Sequence, residues 1–201
     1  MRKPPVDARA AILASTVELL ARREFGDVTL REIAQLARVA PTTVFRHFAT
    51  KQAILQGIID ELAPRFYRDL EDAVALVDDP RDKLLAVCRQ TSRFAARNRG
   101  LIRVLHREVH FNHRPAAGLV KSTRRFVQRL ADLCRDGVER GAFRKDLDLD
   151  AVPLLFYMVV DAVLMRDRLR GVELSDSAFC KAADDSYRLL LDAVEAPRAR
   201  R

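Results

Sequence analysis

The stretch that most constrains the fold covers residues 27–55, DVTLREIAQLARVAPTTVFRHFATKQAIL, and it predicts two short helices separated by a tight bend. Thr29 is a good N-cap, because its hydroxyl can accept a hydrogen bond from a free amide of the first helical turn. Ile33, Leu36 and Ala37 follow at helical spacing and predict one buried face for this first helix.

The bend is expected at residues 38–40, and Pro41 suits the first position of a second helix, where its missing N–H costs nothing. This second helix is short, about residues 41–47, and Val44 and Phe48 are its expected inward anchors. A helix-turn-helix of this kind places the N-terminal part of its second helix in the major groove of DNA.

A specific set of residue types and spacings runs through this stretch: Thr29, Ile33, Ala34, Ala37, Val39, Thr43, Val44, Phe45, His47, Phe48, Lys51 and Leu55. At these positions the chain resembles the TetR family of transcriptional regulators. The resemblance implies an all-α protein with an N-terminal three-helix DNA-binding module, followed by a helical ligand-binding and dimerisation domain. We therefore expect a DNA-binding domain at residues 1–50 and a ligand-binding and dimerisation domain at residues 51–201.

The function implied by the resemblance is that of a ligand-responsive, DNA-binding transcriptional regulator. Its simplest form is a repressor that a small-molecule effector releases from a palindromic operator. The sequence shows no glycine-rich phosphate loop and no Ser-His-Asp or Cys-His pattern, so we expect neither an enzyme nor a cofactor.

Three residues depart from the family pattern. Arg38 stands where a glycine is usual, so the turn is expected to form without easy access to positive φ. Ala40 replaces a serine, which deprives the second helix of a side-chain cap and costs about 1 kcal/mol of local stability. Phe45 replaces a tyrosine and so lacks a hydroxyl that could reach a phosphate.

The residues expected to contact double-stranded DNA are Thr29, Arg31, Pro41, Thr42, Thr43, Phe45, Arg46, His47 and Lys51. Thr42 and Thr43 are expected to face base edges, because a helix that begins at Pro41 presents its first turn to the groove. The family positions imply phosphate contacts for four others: Thr29, Arg46, His47 and Lys51. Phe45 can pack against the sugar–phosphate wall but cannot donate a hydrogen bond.

The charge distribution also favours a polyanionic partner. The chain has 36 basic and 28 acidic side chains, a formal net charge of +8. Nine basic and five acidic residues fall within the first 51 positions, so that quarter of the chain holds half of the excess positive charge. This quarter contains the helix-turn-helix, as expected for a DNA-binding segment.

Cysteine usage and hydropathy predict a cytoplasmic protein that does not enter a membrane. Cys88, Cys134 and Cys180 are far apart and odd in number, which favours small buried side chains in a reducing compartment. No signal peptide is apparent. The longest apolar run, residues 152–160, is too short to span a bilayer.

After the helix-turn-helix, apolar periodicity predicts six further helices, beginning near residues 51, 80, 101, 117, 151 and 175. Pro64 interrupts the first of these and should kink or split it. That long helix either transmits movement to the DNA-binding module or is a strut with a tolerated proline, and the sequence does not separate the two. Residues 143–148, after a helix stop at Gly141, are expected to be a polar connector.

The helix near residues 151–170 is apolar on all sides between residues 152 and 165, apart from Pro153 and Asp161. Such a helix needs burial on every side. In a chain of this length a second subunit is the simplest cover, and the resemblance likewise implies a homodimer joined through the last two helices.

The residues proposed to line an effector pocket are Leu62, Phe66, Phe94, Leu105, His106, Val109, His110, Phe126, Leu130 and Tyr157. Ligand pockets are mostly apolar with a few placed polar groups, here His106 or His110. The alternative is that these side chains fill a solid core, which is the commoner fate of any single one of them.

A second functional alternative concerns three histidines, His106, His110 and His113, spaced at i, i+4 and i+7. On one helix face they could bind a transition metal and make the chain a metal-responsive regulator or a helical metal-binding protein. A half-exposed polar face explains the same spacing, and a break after Phe111 would spoil the geometry, so we do not predict a metal site.

Overall fold

A computed structural model describes residues 7–112, 115 and 117–195 of the chain, and within these ranges it contains nine α-helices. The helices are α1 (Ala8–Arg22), α2 (Leu30–Ala37), α3 (Pro41–His47), α4 (Lys51–Ala75), α5 (Pro80–Arg97), α6 (Arg99–Phe111), α7 (Ala117–Glu139), α8 (Val152–Arg170) and α9 (Asp176–Val194). The only strand-like pairing in the described ranges is an isolated antiparallel bridge between Phe143 and Glu195. The prediction of an all-α fold is confirmed.

The chain divides into two compact units. The first combines the residues up to 64 with residues 98–121, and the second combines residues 65–97 with residues from 122 onward. The helix α4 therefore begins in the first unit and continues into the second, with the division falling at Pro64. The first unit contains α1, α2, α3 and α6, and the second contains α5, α8 and α9.

The first unit is built on the apolar faces of α1, α2, α3, α4 and α6. Its core includes these fully or almost fully buried side chains: Ile12, Leu13, Leu20, Phe25, Val28, Ile33, Val44, Phe48, Ile54, Leu55, Ile58, Leu101 and Val104. Gly100, at the start of α6, lies directly against the backbone of α1. A Cβ atom built on Gly100 would be 1.8 Å from the carbonyl oxygen of Leu20. Glycine is therefore required for α6 to approach α1 this closely.

The second unit is organised around α9, which packs against α5 and α8. The rings of Phe156 on α8 and Tyr187 on α9 stack with centroids 6.2 Å apart, and both side chains are buried. Phe179 and Leu191 complete the buried face of α9. Ser175 caps this helix by accepting from the amide of Ala178 at 3.3 Å.

Several helix-level expectations need correction. The predicted split of α4 at Pro64 is wrong, because the proline removes only one backbone hydrogen bond and the helix continues through it over 25 residues. The predicted kink stays a prediction. Leu36 is not part of the buried face of α2: it is 39% exposed, and Ala34 is buried instead.

The segment after α7 is not purely polar. Phe143 is 1% exposed, and its ring lies where a side chain at Gly137 would otherwise stand, since a Cβ there would be 2.1 Å from the ring. The next residue, Arg144, donates its amide to the carbonyl of Val194 at 3.0 Å. The connector therefore joins the ends of α7 and α9.

None of the described helices is both long enough and apolar enough to cross a membrane.

Candidate nucleic-acid interface

The first helix of the motif, α2, begins with a complete capping box. The amide of Glu32 donates to Oγ1 of Thr29 at 3.2 Å, and the amide of Thr29 donates to Oε2 of Glu32 at 2.8 Å. Arg23 donates to Oε1 of Glu32 and also to the carbonyl oxygen of Asp27 at 2.5 Å. The hydrogen bond from Arg23, followed by those from Thr29, lowers the pKa of Glu32 to about 2. The Thr29 hydroxyl is thus a helix cap, and its predicted phosphate contact stays a prediction.

The turn between α2 and α3 adopts the left-handed conformation even though it lacks glycine. Arg38 has φ 58° and ψ 39°, and its amide donates to the carbonyl of Gln35 at 3.2 Å. The amide of Val39 donates to the carbonyl of Ala34 at 3.0 Å and closes the helix. The expected avoidance of positive φ is therefore not observed, and a non-glycine residue bears the strain of this conformation.

The second helix, α3, has the predicted bounds and the predicted inward anchors. Val44 is fully buried, and Phe48 is 5% exposed. Ala40 stands at the N-cap without a side-chain hydrogen bond, as expected from its replacement of serine. These contacts hold α3 by one side against the core of the first unit and leave its other side open.

The predicted DNA contacts on the motif are mostly exposed. Arg31, Pro41, Thr42, Phe45, Arg46 and His47 are exposed, and Thr43 is half-buried. Phe45 is 58% exposed, a large value for a phenylalanine. The helix thus presents an exposed surface that includes most of the predicted contact residues, and the individual DNA contacts stay predictions.

Lys51 makes internal contacts that the sequence did not indicate. Its ammonium donates to the carbonyl oxygens of Phe25 and, at 3.3 Å, of Gly26, and it lies 4.5 Å from the centre of the Phe25 ring. Partial burial lowers the pKa of Lys51. Its predicted phosphate contact stays a prediction, but the side chain also ties the start of α4 to the loop after α1.

Arg9 is a residue that sequence analysis missed. Its guanidinium carbon lies 5.6 Å from the centre of the Phe48 ring, so an exposed positive charge of α1 sits beside the end of α3. The only sequence signal was its position as the first basic residue of α1, which does not reveal the contact.

The residues proposed for the effector pocket are distributed over the two units. In the second unit four aromatic rings form a chain, with centroids 5.0 Å apart for Phe66 and Phe94, 5.9 Å for Phe66 and Phe126, and 6.3 Å for Phe126 and Tyr157. Burial raises the pKa of Tyr157 to about 12. Leu130, the remaining predicted member of this unit, is buried.

The other predicted pocket residues belong to the first unit. Leu62 and Leu105 pack against its core, Val109 is half-buried, and the rings of His106 and His110 stack with centroids 5.8 Å apart. His113 lies outside the described residues. The described residues contain no group of three or more histidine, cysteine, aspartate or glutamate side chains placed to hold a metal ion.

A helical unit that presents a capped helix-turn-helix, together with a second and larger helical unit, is typical of a DNA-binding regulatory protein. Two family models match the chain: the bacterial regulatory proteins of the tetR family over residues 12–58, and the tetracyclin repressor-like C-terminal domain over residues 77–164. The chain belongs to the TetR family of transcriptional regulators, which are DNA-binding proteins rather than enzymes.

Individual relatives agree with this assignment. The transcriptional repressor KstR2 of Mycobacterium tuberculosis is 25% identical over 150 residues, which cover 72% of this chain and 73% of that protein. Among solved structures, FadR of Bacillus subtilis in complex with stearoyl-CoA has a TM-score of 0.73 at 16% identity and covers 92% of this chain and 99% of its own. The regulator AibR, in complex with isovaleryl coenzyme A and operator DNA, has a TM-score of 0.71 at 18% identity, with coverages of 92% and 98%. These structural similarities show the fold.

Proposed function

We propose that this protein is a repressor that binds a near-palindromic operator as a homodimer and leaves it when a small acyl-type effector binds. Residues 1–50 form the DNA-binding domain, and residues 51–201 provide the effector site and the dimer interface. The observation that carries the proposal is the arrangement of α3, which is held by buried Val44 and Phe48 while Thr42, Phe45 and Arg46 remain exposed. A short helix anchored in this way suits insertion into the major groove.

The proposal of a homodimer is supported by the exposed apolar surface of α8. One stripe of this helix is formed by Leu154, Met158, Met165 and Leu169, which are between 39% and 80% exposed. They lie within about a quarter of the helix circumference, because each residue advances the helix by about 100°. A second copy of the same helix would cover this stripe in an isologous interface, and two copies of α3 would then meet two half-sites of the operator.

The proposal of an acyl-type effector is supported by the aromatic chain of the second unit. Phe66, Phe94 and Tyr157 are only partly buried, so this group offers apolar surface to a ligand. FadR and AibR were crystallised with coenzyme A thioesters of a long and a short acyl group. An acyl-CoA is therefore the effector class that we propose for this protein.

Any such effector must have a higher affinity for the protein conformation that does not bind DNA than for the conformation that does. Without this difference in affinity, effector binding would not change operator binding. A coupling free energy of about 1–3 kcal/mol between effector and operator would be ordinary for a switch of this kind. The proposed release is therefore a change of about 5- to 150-fold in operator affinity.

The test begins with selection of DNA duplexes from a random library by the full-length protein, followed by fluorescence anisotropy on the enriched duplex. We expect a near-palindromic sequence and a two-protomer complex. Leu154→Asp with Met158→Asp should yield a monomer with much weaker operator binding. A stable wild-type monomer at micromolar concentration in analytical ultracentrifugation would contradict the dimer.

The effector is then sought with acyl-CoAs of increasing chain length, with free CoA, free fatty acids, Zn²⁺ and Ni²⁺ as comparison ligands. We expect release by an acyl-CoA but not by CoA alone, and a weaker response in Phe94→Ala. Leu76→Ala is the matched control, because Leu76 is 84% exposed and lies outside the aromatic chain. Release by a metal that is lost in His106→Ala and His110→Ala would favour the metal-responsive alternative instead.

A further inference from the structure

The outward face of α3 is unusually apolar for a surface that meets DNA. Pro41, Thr42 and Phe45 are all exposed and share one side of the helix, because Phe45 follows Pro41 by four positions and Thr42 by three. Ala40, immediately before the helix, is exposed as well. Two rings and two methyl groups therefore form one apolar surface, which we call the α3 apolar face.

This face has no role in the protein core. In the same segment Val44 and Phe48 are 0% and 5% exposed, whereas Phe45 is 58% exposed. The Phe45 ring is thus not part of the core of the first unit and is accessible to a binding partner.

The exposed charges of the helix-turn-helix favour a polyanionic partner. Arg31 on α2, Arg38 in the turn and Arg46 at the end of α3 are all exposed. Three exposed guanidinium groups on the same motif as the α3 apolar face suit a DNA groove, where phosphates line the rim and the bases form the floor.

The floor of the major groove offers one apolar group, the C5-methyl of thymine, and otherwise presents hydrogen-bond donors and acceptors. From Pro41 to Phe45 the helix has no amide, carboxylate, guanidinium or ammonium side chain, and its only polar side-chain groups are the hydroxyls of Thr42 and Thr43. The usual bidentate contacts to guanine or adenine need an arginine, lysine, asparagine or glutamine, and this segment has none.

We propose that α3 recognises its operator chiefly through thymine C5-methyl groups, with Phe45 and Thr42 as the specificity-determining residues. The proposal rests on the proposed function in requiring that α3 enters the major groove, and it adds the chemistry by which bases are distinguished. The ring of Phe45 contacts one or two thymine methyls in each half-site, and the methyl group of Thr42 contacts a neighbouring one.

The test replaces thymine by deoxyuridine, one position at a time, in a duplex enriched by the full-length protein from a random library. Deoxyuridine removes only the methyl group and leaves base pairing and the O4 acceptor unchanged. Loss of one buried methyl contact should weaken binding about fourfold. We expect this loss at one to three thymines in each half-site and no change at thymines elsewhere in the duplex.

The same duplexes are then measured with variants of the protein. Phe45→Ala should bind the thymine duplex more weakly and no longer distinguish deoxyuridine at the positions that the ring contacts. Phe45→Tyr keeps the ring and should keep the discrimination. Phe111→Ala is the matched control, because Phe111 is another exposed phenylalanine, 78% exposed and located on α6, and it should behave like the wild type. Arg46→Ala should weaken thymine and deoxyuridine duplexes equally.

Three outcomes would overturn the inference while leaving the proposed function intact: an enriched operator without thymine in its half-sites, a change below about twofold at every deoxyuridine position, or full discrimination retained by Phe45→Ala. Failure to enrich any duplex over non-specific DNA would overturn the proposed function, and the inference with it. Thermal unfolding of each variant verifies that the first unit remains folded.

Discussion

The ammonium of Lys51 donates to the backbone carbonyl of Phe25 and lies 4.5 Å from the centre of the ring of the same residue. One side chain at the start of α4 therefore contacts both the backbone and the ring of a residue in the loop that joins α1 to α2. This loop leads directly to the capping box of Thr29 and Glu32, so Lys51 helps to fix where the helix-turn-helix begins.

Replacement of Lys51 by methionine tests this contact. The unbranched apolar stem is kept, but the charged donor is lost and the carbonyl of Phe25 is left without it. We expect the free energy of unfolding to fall by about 1–2 kcal/mol in urea titrations. Arg31→Met, an exposed change on α2, is the control and should leave stability nearly unchanged. A Lys51→Met protein of wild-type stability, with a salt dependence of DNA binding reduced by about one unit, would indicate a phosphate contact alone.

The second prediction concerns the positive φ of Arg38. Glycine adopts φ 58° without the steric cost that a side chain imposes, although it loses more conformational entropy on folding. We expect Arg38→Gly to stabilise the protein by about 0.5–1 kcal/mol. Gln35→Gly, in an exposed position within α2, should instead destabilise it by about 1 kcal/mol. Calorimetry or urea titration of the two variants separates the effects, and equal destabilisation by both would contradict the assignment of strain to Arg38.

The third prediction concerns the close approach of Gly100 to α1. A methyl group at this position would overlap the carbonyl group of Leu20, which belongs to a helical backbone and cannot rotate away. We expect Gly100→Ala to cost about 1–3 kcal/mol of unfolding free energy, against the general preference of helices for alanine. Gly26→Ala is the matched control, because a Cβ there meets nothing within 4 Å. Unchanged stability of Gly100→Ala would mean that α6 can move away from α1 at little cost.

The fourth prediction follows from the low pKa of Glu32. A folded-state pKa of about 2, below the ordinary value of 4.5, means that the unfolded chain takes up this proton first as the pH falls. The stabilisation by ionised Glu32 is therefore complete above about pH 4.5 and is lost towards pH 2. We expect wild type to be more stable than Glu32→Gln at pH 7 and the difference to shrink as the pH falls from about 4.5 towards 2. Glu18→Gln, in an exposed position of α1, is the comparison variant.

Local sequence signals were sufficient for the helix-turn-helix. Pro41 marked the start of α3, the spacing of Val44 and Phe48 marked its buried side, and the observed helix runs from Pro41 to His47 as predicted. Thr29 was recognised as a cap because capping depends only on residues within one helical turn. These features are fixed by neighbours in sequence, which is why they could be predicted.

Features that depend on distant neighbours could not be predicted. Phe143 stands among polar residues, and its burial requires the space that Gly137 leaves in the preceding helix. Lys51 contacts a loop about 25 positions earlier in the chain, and Arg9 contacts the ring of Phe48, about 40 positions later. Arg38 shows a further limit: the backbone of the turn is set by the two helices that it joins, and the residue accepts the resulting strain.

The division of the chain into interleaved units has a consequence for its synthesis on the ribosome. The first unit needs residues 98–121, so α5 leaves the exit tunnel before that unit can be completed. The helix against which α5 packs, α9, is the last of the described helices and begins about 80 positions after α5 ends. Leu84, Leu85 and Cys88, which are buried in the finished protein, therefore remain without that cover while about 100 further residues are made. This stretch of the nascent chain is where a chaperone would be expected to bind.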